Sequence, residues 1–528
     1  MTAASSTRAP SREASLPSVP TALPEVEVSA APRRSTPVVA LCRTADTELA
    51  QEPIPLPVPL SGGDALSVGW FESVALTGKA GEVQPGPVGA RVRWVVGVGD
   101  GTPAGWRTAG AALARTVRSR LAKDADVGRR AERALQIELP ADAEAEQVAE
   151  LVRGLRLGGY EFTVTTAERA PALRAVRLVT PFADDFADVV RRANVLAGAT
   201  GLARDLANTP SNIKNPAWLA RQAKRVAGAV PGVEVTVRDE RWLAQHGFGG
   251  VLAVGGGSAS PPRLIELSWR PGARRAAGQV RAHLVLVGKG ITFDTGGISV
   301  KAADGMHLMR TDMAGGAAVI AAVAAIAALE LPVRVTGLVP CAENHVSGAA
   351  YRPGDVVRHY GGRTTEVTNT DAEGRMVMAD ALAYAAAALR PDLLCDVATL
   401  TGAMKVALGL RTGGVFASTD ELAGQVVAAG ERAGERWWRM PLGPDAGTVA
   451  EEFGEAVASR IADVRQCPPG PGGIAAAMFL REFTDGLPWA HLDIAGPARA
   501  DKVYDEVTPG ATGFAARTLV ELAANYAN

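Results

Sequence analysis

Apolar and polar positions along the chain fall into three regimes. Residues 1 to 50 are rich in Ser, Pro, Ala and Thr and show no sustained apolar period, with five basic and five acidic residues scattered among them. That composition predicts a disordered tail. From residue 51 to 182 apolar runs alternate with helical patterns. RVRWVVGVG from residue 91 and ALRAVRLVT from residue 172 read as strands, and Trp106 to Leu135 reads as a helix or helix pair. These elements predict a small α/β domain. Residues 183 to 206 read as a connecting helix. In residues 207 to 528, strands such as HLVLVG, VTGLVP and DLLCDVATL alternate with Ala-rich helices. This is the pattern of a mostly parallel sheet covered on both faces. The expected fold class is therefore α/β, a larger C-terminal domain on a mostly parallel sheet beside a smaller N-terminal α/β domain.

Composition changes this picture little. A chain of 528 residues is too long for one ordinary core and suits two domains. The apolar run AAVIAAVAAIAAL at 317 to 329 is too short and Ala-rich to span a bilayer, so it reads as a buried helix. The first 20 residues lack the apolar core of a secretory signal. With 55 basic and 56 acidic residues, no net charge draws the chain to nucleic acid or an anionic membrane. Cys42, Cys341, Cys395 and Cys467 are widely spaced with no CxxC pair, which fits free thiols in a reducing cytosol. A cytoplasmic protein without a membrane partner is expected.

Two local features need weighing. GVGDGT at 97 to 102 lacks the full glycine pattern of a dinucleotide-binding turn and reads as a strand-to-helix turn. The stretch 107 to 133 carries Arg107, Arg115, Arg118, Arg120, Lys123, Arg129, Arg130 and Arg133 against Asp124, Asp126 and Glu132. It reads as a solvated face, and it is the feature on which a nucleic-acid interface would draw.

The chemistry concentrates further on. NTDAEGR at 369 to 375 sets Asp371, Glu373 and Arg375 at alternate positions, which an extended segment would turn to one side. VGKGITFDTGGISVK from residue 287 adds Lys289, Asp294 and Lys301, and Asp312 follows. Carboxylates crowded together repel unless a cation or shared proton neutralises them. HLVLVG runs directly into Lys289, and open α/β sheets place their sites at such strand ends. On the residues alone, Lys289 reads as a salt bridge to Asp294 or a neighbour, and Asp312 as the N-cap of the Ala-rich helix. Arg375, always protonated, either orders the two carboxylates beside it or offers its fork to an anion. His491 reads as packed and hydrogen-bonded.

These segments resemble the leucyl or cytosol aminopeptidases, peptidase family M17. The resemblance rests on NTDAEGR, GKGITFD and the Gly-rich turn at 312 to 316. It extends to ARDLANTPSN from 203, AEN from 342, DVATLTGA from 396, PGGIAAAMFLREF from 471 and WAHLDIAG from 489. It covers roughly residues 200 to 528. His345 stands where an apolar residue is expected, and Gly316 where Ala is expected. The resemblance implies that Lys289, Asp294, Asp312, Asp371 and Glu373 hold two divalent ions. Oxygen ligands with one amine suit manganese or zinc, with magnesium possible; manganese is the expected ion and zinc the alternative. It further implies that Lys301 stabilises an oxyanion, that Arg375 holds a bicarbonate, and that Met309, Thr399 and Gly402 line the pocket for the first side chain. The implied catalytic domain spans 207 to 528 and removes the N-terminal residue, Leu or another apolar one, from peptides. The implied assembly is a homohexamer. The rival expectation is a DNA-binding protein with secondary or no peptidase activity, since some members of the family bind DNA.

Overall fold

The computed structural model describes residues 19–44, 58–60, 66, 68–129, 132–167, 169–272, 282–442 and 457–527. The chain divides into two compact units, Met1–Val190 and Arg191–Asn528. The helix Ala183–Asn208 carries the chain from one to the other.

The first unit is built on a seven-stranded sheet. Its strands are β1 (Glu25–Ser29), β2 (Val38–Arg43), β3 (Val58–Pro59), β4 (Val83–Pro85), β5 (Val92–Gly97), β6 (Ala134–Glu138) and β7 (Ala175–Val179). The order is β1-β7-β6-β2-β5-β4, with β3 on β2, and only the pairs made by β3 and β4 are antiparallel. The expectation of a disordered tail over residues 1 to 50 fails here. The run VVALC buries completely as β2 in the middle of the sheet, and EVEVS pairs with β7 as β1. Residues 1 to 18 and 45 to 50 of that stretch lie outside the described residues. The helix Pro103–Asp126 starts where Thr102 accepts from the Gly105 amide and Pro103 fixes the first turn. It ends at Asp126 rather than running on to Leu135, because ALQIE there joins the sheet as β6. It buries Trp106, Leu113, Val117 and Leu121. Each such side chain contributes roughly 1.5–3 kcal/mol on burial.

The second unit carries a nine-stranded sheet. Its strands are β8 (Val233–Arg238), β9 (Arg263–Trp269), β10 (His283–Gly288), β11 (Gly290–Asp294), β12 (Arg334–Asn344), β15 (Leu393–Ala398), β16 (Thr412–Ala417), β17 (Arg436–Arg439) and β19 (Trp489–Asp493). A small sheet of β13 (Val356–Arg358), β14 (Thr364–Glu366) and β18 (Val464–Arg465) and a pair, β20 (Arg499–Ala500) and β21 (Gly510–Ala511), complete it. The large sheet runs β17-β16-β19-β15-β10-β12-β9-β8, with β11 on β12. Its centre is parallel: β10 pairs with β12 and β15, and β15 with β19. The α/β class with mostly parallel sheets is as expected from the strand–helix alternation.

The centre of the sheet explains the composition of its strands. HLVLVG is buried at every position because helices cover both faces. One of them, Ala314–Ala328, is apolar all round and buried along almost its whole length. The run Met306–Ala328 is long and apolar enough to cross a bilayer by composition, but 89% of its window is buried inside the protein, which makes it a core helix. Gly316, the departure from the family's Ala, lies where a Cβ would come within 2.5 Å of the Val339 side chain. The sequence difference therefore follows the local packing.

Candidate active site

Four segments meet at the carboxyl ends of the central strands, where open α/β sheets place their ligands. Lys289 follows β10 directly, Asp294 ends β11, Asp312 lies just ahead of the Ala-rich helix, and Asp371 and Glu373 enter the helix Glu373–Tyr384. Together they line a cavity of about 210 Å³, with Lys301, Arg375, Met309, Thr399 and Gly402 also in its wall. All ten residues singled out in the sequence thus come to one place.

The means of convergence differs from the expectation. NTDAEGR is no strand: Asp371 sits in a turn and Glu373 is the first helical residue. Side-chain direction is set by that turn, so Arg375 diverges from its neighbours. It is buried and donates from Nη1 to the carbonyl of Gln466 at 2.9 Å, and it makes no ion pair with Asp371 or Glu373. Nor is Asp312 an N-cap, since Met313 occupies that position without a side-chain bond.

The ion pairs alternate. Lys289 Nζ lies 2.9 Å from Asp312 and 2.8 Å from Glu373, and donates to the Thr399 carbonyl at 3.0 Å. Lys301 Nζ lies 2.8 Å from Asp294 and bridges to Asp371. The salt bridge expected from Lys289 to Asp294 or a neighbouring carboxylate is therefore made to two neighbours, Asp312 and Glu373, and not to Asp294. Four carboxylates face two ammonium groups, so the cluster holds an excess of negative charge. Burial raises the pKa of Asp294, Asp312 and Asp371, and neighbouring carboxylates raise those of Asp294 and Asp312 further. Burial pushes the Lys289 ammonium down, but Asp312, Glu373 and Asp294 together hold it above its ordinary value.

The donor set fits divalent cations. Oxygens of Asp294, Asp371 and Glu373 all lie within 4.8 Å of one another. Asp312 Oδ2 and Asp371 Oδ1 are buried and accept no well-directed hydrogen bond, although an ammonium stands beside each. Hard carboxylate oxygens with room for another partner are what such ions take.

A second ring of residues, of which only Thr399 is singled out in the sequence, fixes this arrangement. Asn344 donates from Nδ2 to Asp294 at 2.8 Å and to the Thr370 carbonyl at 3.0 Å, tying β12 to both motif segments. Tyr351 donates to the same carbonyl at 2.9 Å. The Gln466 side chain accepts from the amides of Thr368 and Asn369 and donates to the Ala372 carbonyl. Thr399 donates its hydroxyl to Asp312 at 2.7 Å, so this pocket candidate also orients a carboxylate. The buried Lys214 donates to the carbonyls of Ala207 and Arg310, which anchors the ANTPSN turn to the segment before Asp312. Gly374 makes room for Lys289. A Cβ there would lie 2.5 Å from Lys289 Cε and 2.7 Å from its Nζ. Asn344 and Gly374 lie inside quoted motifs, which was the available signal; Tyr351 and Gln466 carried none. His491 is a core residue, as expected, buried with Nδ1 on Asp396.

With the geometry in place, comparison with known proteins is decisive. A profile of the cytosol aminopeptidase family's catalytic domain matches residues 201–520. The chain is 46% identical over 409 residues to a probable cytosol aminopeptidase of Micrococcus luteus, covering 74% of this chain and 77% of that one. It is 42% identical over 476 residues to the probable cytosol aminopeptidase of Streptomyces avermitilis, covering 88% and 90%. Among solved structures, the bottromycin maturation enzyme BotP in complex with Mn superposes with a TM-score of 0.78 at 36% identity, over 93% of this chain and 99% of that one. The fold and the site define a metal-dependent peptide hydrolase. The chain belongs to the cytosol aminopeptidase family, peptidase family M17.

Proposed function

We propose that the protein is an aminopeptidase that works with two divalent ions per chain, manganese ahead of zinc, held by Lys289, Asp294, Asp312, Asp371 and Glu373. The observation that carries this reading is the cluster of four carboxylates on two ammonium groups at the strand ends, with oxygens of Asp294, Asp371 and Glu373 within 4.8 Å of one another. When bound, such ions supply Lewis acidity and a water of lowered pKa. Lys289 joins the ligands only as the neutral amine, so binding requires it to lose the proton it now shares with Asp312 and Glu373.

The remaining roles belong to side chains. Lys301, half-exposed to the cavity, places an ammonium where an oxyanion can meet it. Arg375 is fixed by Gln466 through Nη1 and keeps Nε without a partner, which leaves part of its fork for a bicarbonate that takes up the proton of the attacking water. Met309 and Thr399, half-buried in the cavity wall, and the exposed Gly402 form the pocket for the first side chain, preferably Leu or another apolar residue. A cytoplasmic homohexamer completes the reading, and light scattering on purified protein tests the assembly.

The rival DNA-binding reading finds no support. Arg107 pairs with Glu150, Arg118 with Glu161 and Arg120 with Asp124, so much of the basic stretch is neutralised within its own unit. The test of the proposal is hydrolysis of Leu-, Met-, Arg- and Cys-Gly-type substrates by metal-stripped protein given defined metals. Restored turnover with about two ions per chain is expected; turnover indifferent to metal would overturn it.

A further inference from the structure

Two cations in the cavity wall have no part in the cluster. Lys405 and Arg499 line the same cavity as the carboxylates. Every other cation there is engaged: Lys289 and Lys301 each hold two carboxylates, and Arg375 bonds Gln466. Lys405 and Arg499 make no side-chain hydrogen bond or ion pair among the described residues. Basic side chains that reach into a concave, peptide-binding site without a counter-charge are unusual companions for an apolar pocket, and they set its potential.

The fold brings them to one wall. Lys405 lies three residues beyond Gly402 on the helix Gly402–Leu408, hence on the same helix face as this pocket residue. Arg499 opens β20, directly after the turn that contributes Ala495 and Ala498 to the cavity. That turn packs tightly on the helix: a Cβ at Gly496 would meet the Gly409 carbonyl at 2.2 Å and the Lys405 Cα at 3.6 Å. Small residues with two cations therefore form one wall, apart from the acidic cluster.

We propose that Lys405 and Arg499 form a subsite for a carboxylate of the peptide substrate, so that the enzyme favours peptides bearing a negative charge close to the scissile bond. The inference rests on the aminopeptidase reading of the site. A peptide offers such a carboxylate from two sources, an acidic side chain or its own C-terminus. With the amino end drawn to the acidic cluster, each residue extends the chain by about 3.3–3.6 Å. A carboxylate one or two residues along can therefore meet the cations. Arg499, half-buried, offers a bidentate fork, and the more exposed Lys405 a mobile point charge.

The experiment uses the full-length, metal-loaded enzyme and matched substrate pairs. Leu-Ala against Leu-Ala-amide tests the C-terminus. Leu-Glu-amide against Leu-Gln-amide tests the second side chain, and Glu-Ala-amide against Gln-Ala-amide the first. At least one pair should show about a tenfold preference in kcat/KM for its anionic member, carried mainly by KM, as a charge-assisted contact realised in the ground state predicts. That preference should fall to about twofold or less in the Lys405→Ala, Arg499→Ala double variant. It should persist in Lys405→Arg and shrink at high ionic strength. In Lys405→Glu it should reverse toward Leu-Lys-amide over Leu-Gln-amide. The pair that responds identifies the source. If Leu-Ala-amide is not hydrolysed under any metal, the aminopeptidase reading fails and the subsite with it. If it is hydrolysed but no pair shows a preference that the double variant abolishes, the subsite alone is overturned.

Discussion

Each unit contains a cavity, and the larger one has the weaker claim to chemistry. In the first unit, a cavity of about 350 Å³ is lined by Arg118, Arg156 and Arg169. Its cations are already engaged: Arg118 pairs with Glu161 and donates to the Gly159 carbonyl, and Arg169 donates to the Thr163 carbonyl. Burial lowers the pKa of Arg156, with Glu25 beside it working the other way. In the second unit, the smaller cavity of about 210 Å³ holds a cluster of four carboxylates on two ammonium groups, two buried carboxylate oxygens that accept no well-directed hydrogen bond, and two further cations without a side-chain partner among the described residues. Volume measures what fits. Crowded like charge and groups without partners, held in place by a rigid shell, mark where a ligand is needed.

The two units can be set against each other by removing parts of each. The largest effect should come from deleting residues 2 to 45. This removes β1 and the fully buried β2, and with them the middle of the first sheet. Loss of soluble, folded protein is expected by circular dichroism and thermal melting. A soluble truncation with ordinary melting would show that β2 is dispensable. Next, Glu373→Ala removes a buried oxygen from the group within 4.8 Å and strands Lys289 beside Asp312. Metal analysis should find at least one ion lost per chain and turnover near background; full loading would refute its role as a ligand.

Lys301→Ala should lower turnover by about 10²–10³ while the metals stay bound, as loss of an oxyanion donor does. Arg375→Ala should also lower it with metals retained, and added bicarbonate should restore little. Metal loss in either would erase the distinction between ligands and catalysts. Gly374→Ala should be milder in kind, costing about 1–3 kcal/mol of stability and much of the activity, because the added methyl meets the Lys289 chain. Unchanged melting and turnover would mean the lysine has another path. The smallest effect belongs to the first unit's cavity. Arg118→Ala should leave turnover within about twofold and stability within about 1 kcal/mol, as expected of a partly exposed pair. A strong loss of turnover would give that cavity a role the comparison denies it.

What could be read from the sequence divides along the same line. Residues that carry charge into an apolar setting stand out, as Lys289, Asp294, Asp312 and Glu373 do, but it is the family resemblance that joins them with Asp371 as one ligand set. Their supports do not stand out. Gln466 holds the motif segment mainly through backbone partners, and only the tertiary fold shows which backbone will be near. In residues 1 to 50 a composition rich in Ser, Pro, Ala and Thr masks two strands, although EVEVS alternates and VVALC is a continuous apolar run. The extended form assigned to NTDAEGR gave way to a helix start. The signal was present: an acidic residue ahead of the apolar stretch MVMADALAY is a helix N-terminus pattern.

The hydrogen atom that serves Gly374 as a side chain has a consequence for how this protein can diverge. Because the Lys289 chain fills the space that any larger residue at 374 would claim, position 374 cannot enlarge while Lys289 keeps its present course. A bulkier residue at 374 is compatible only with a shorter one at 289, and that exchange discards the amine. The two motifs, remote in sequence, therefore behave as a single inherited character. A descendant enlarged at 374 would be expected to have lost the lysine as well and to keep the scaffold while giving up the reaction.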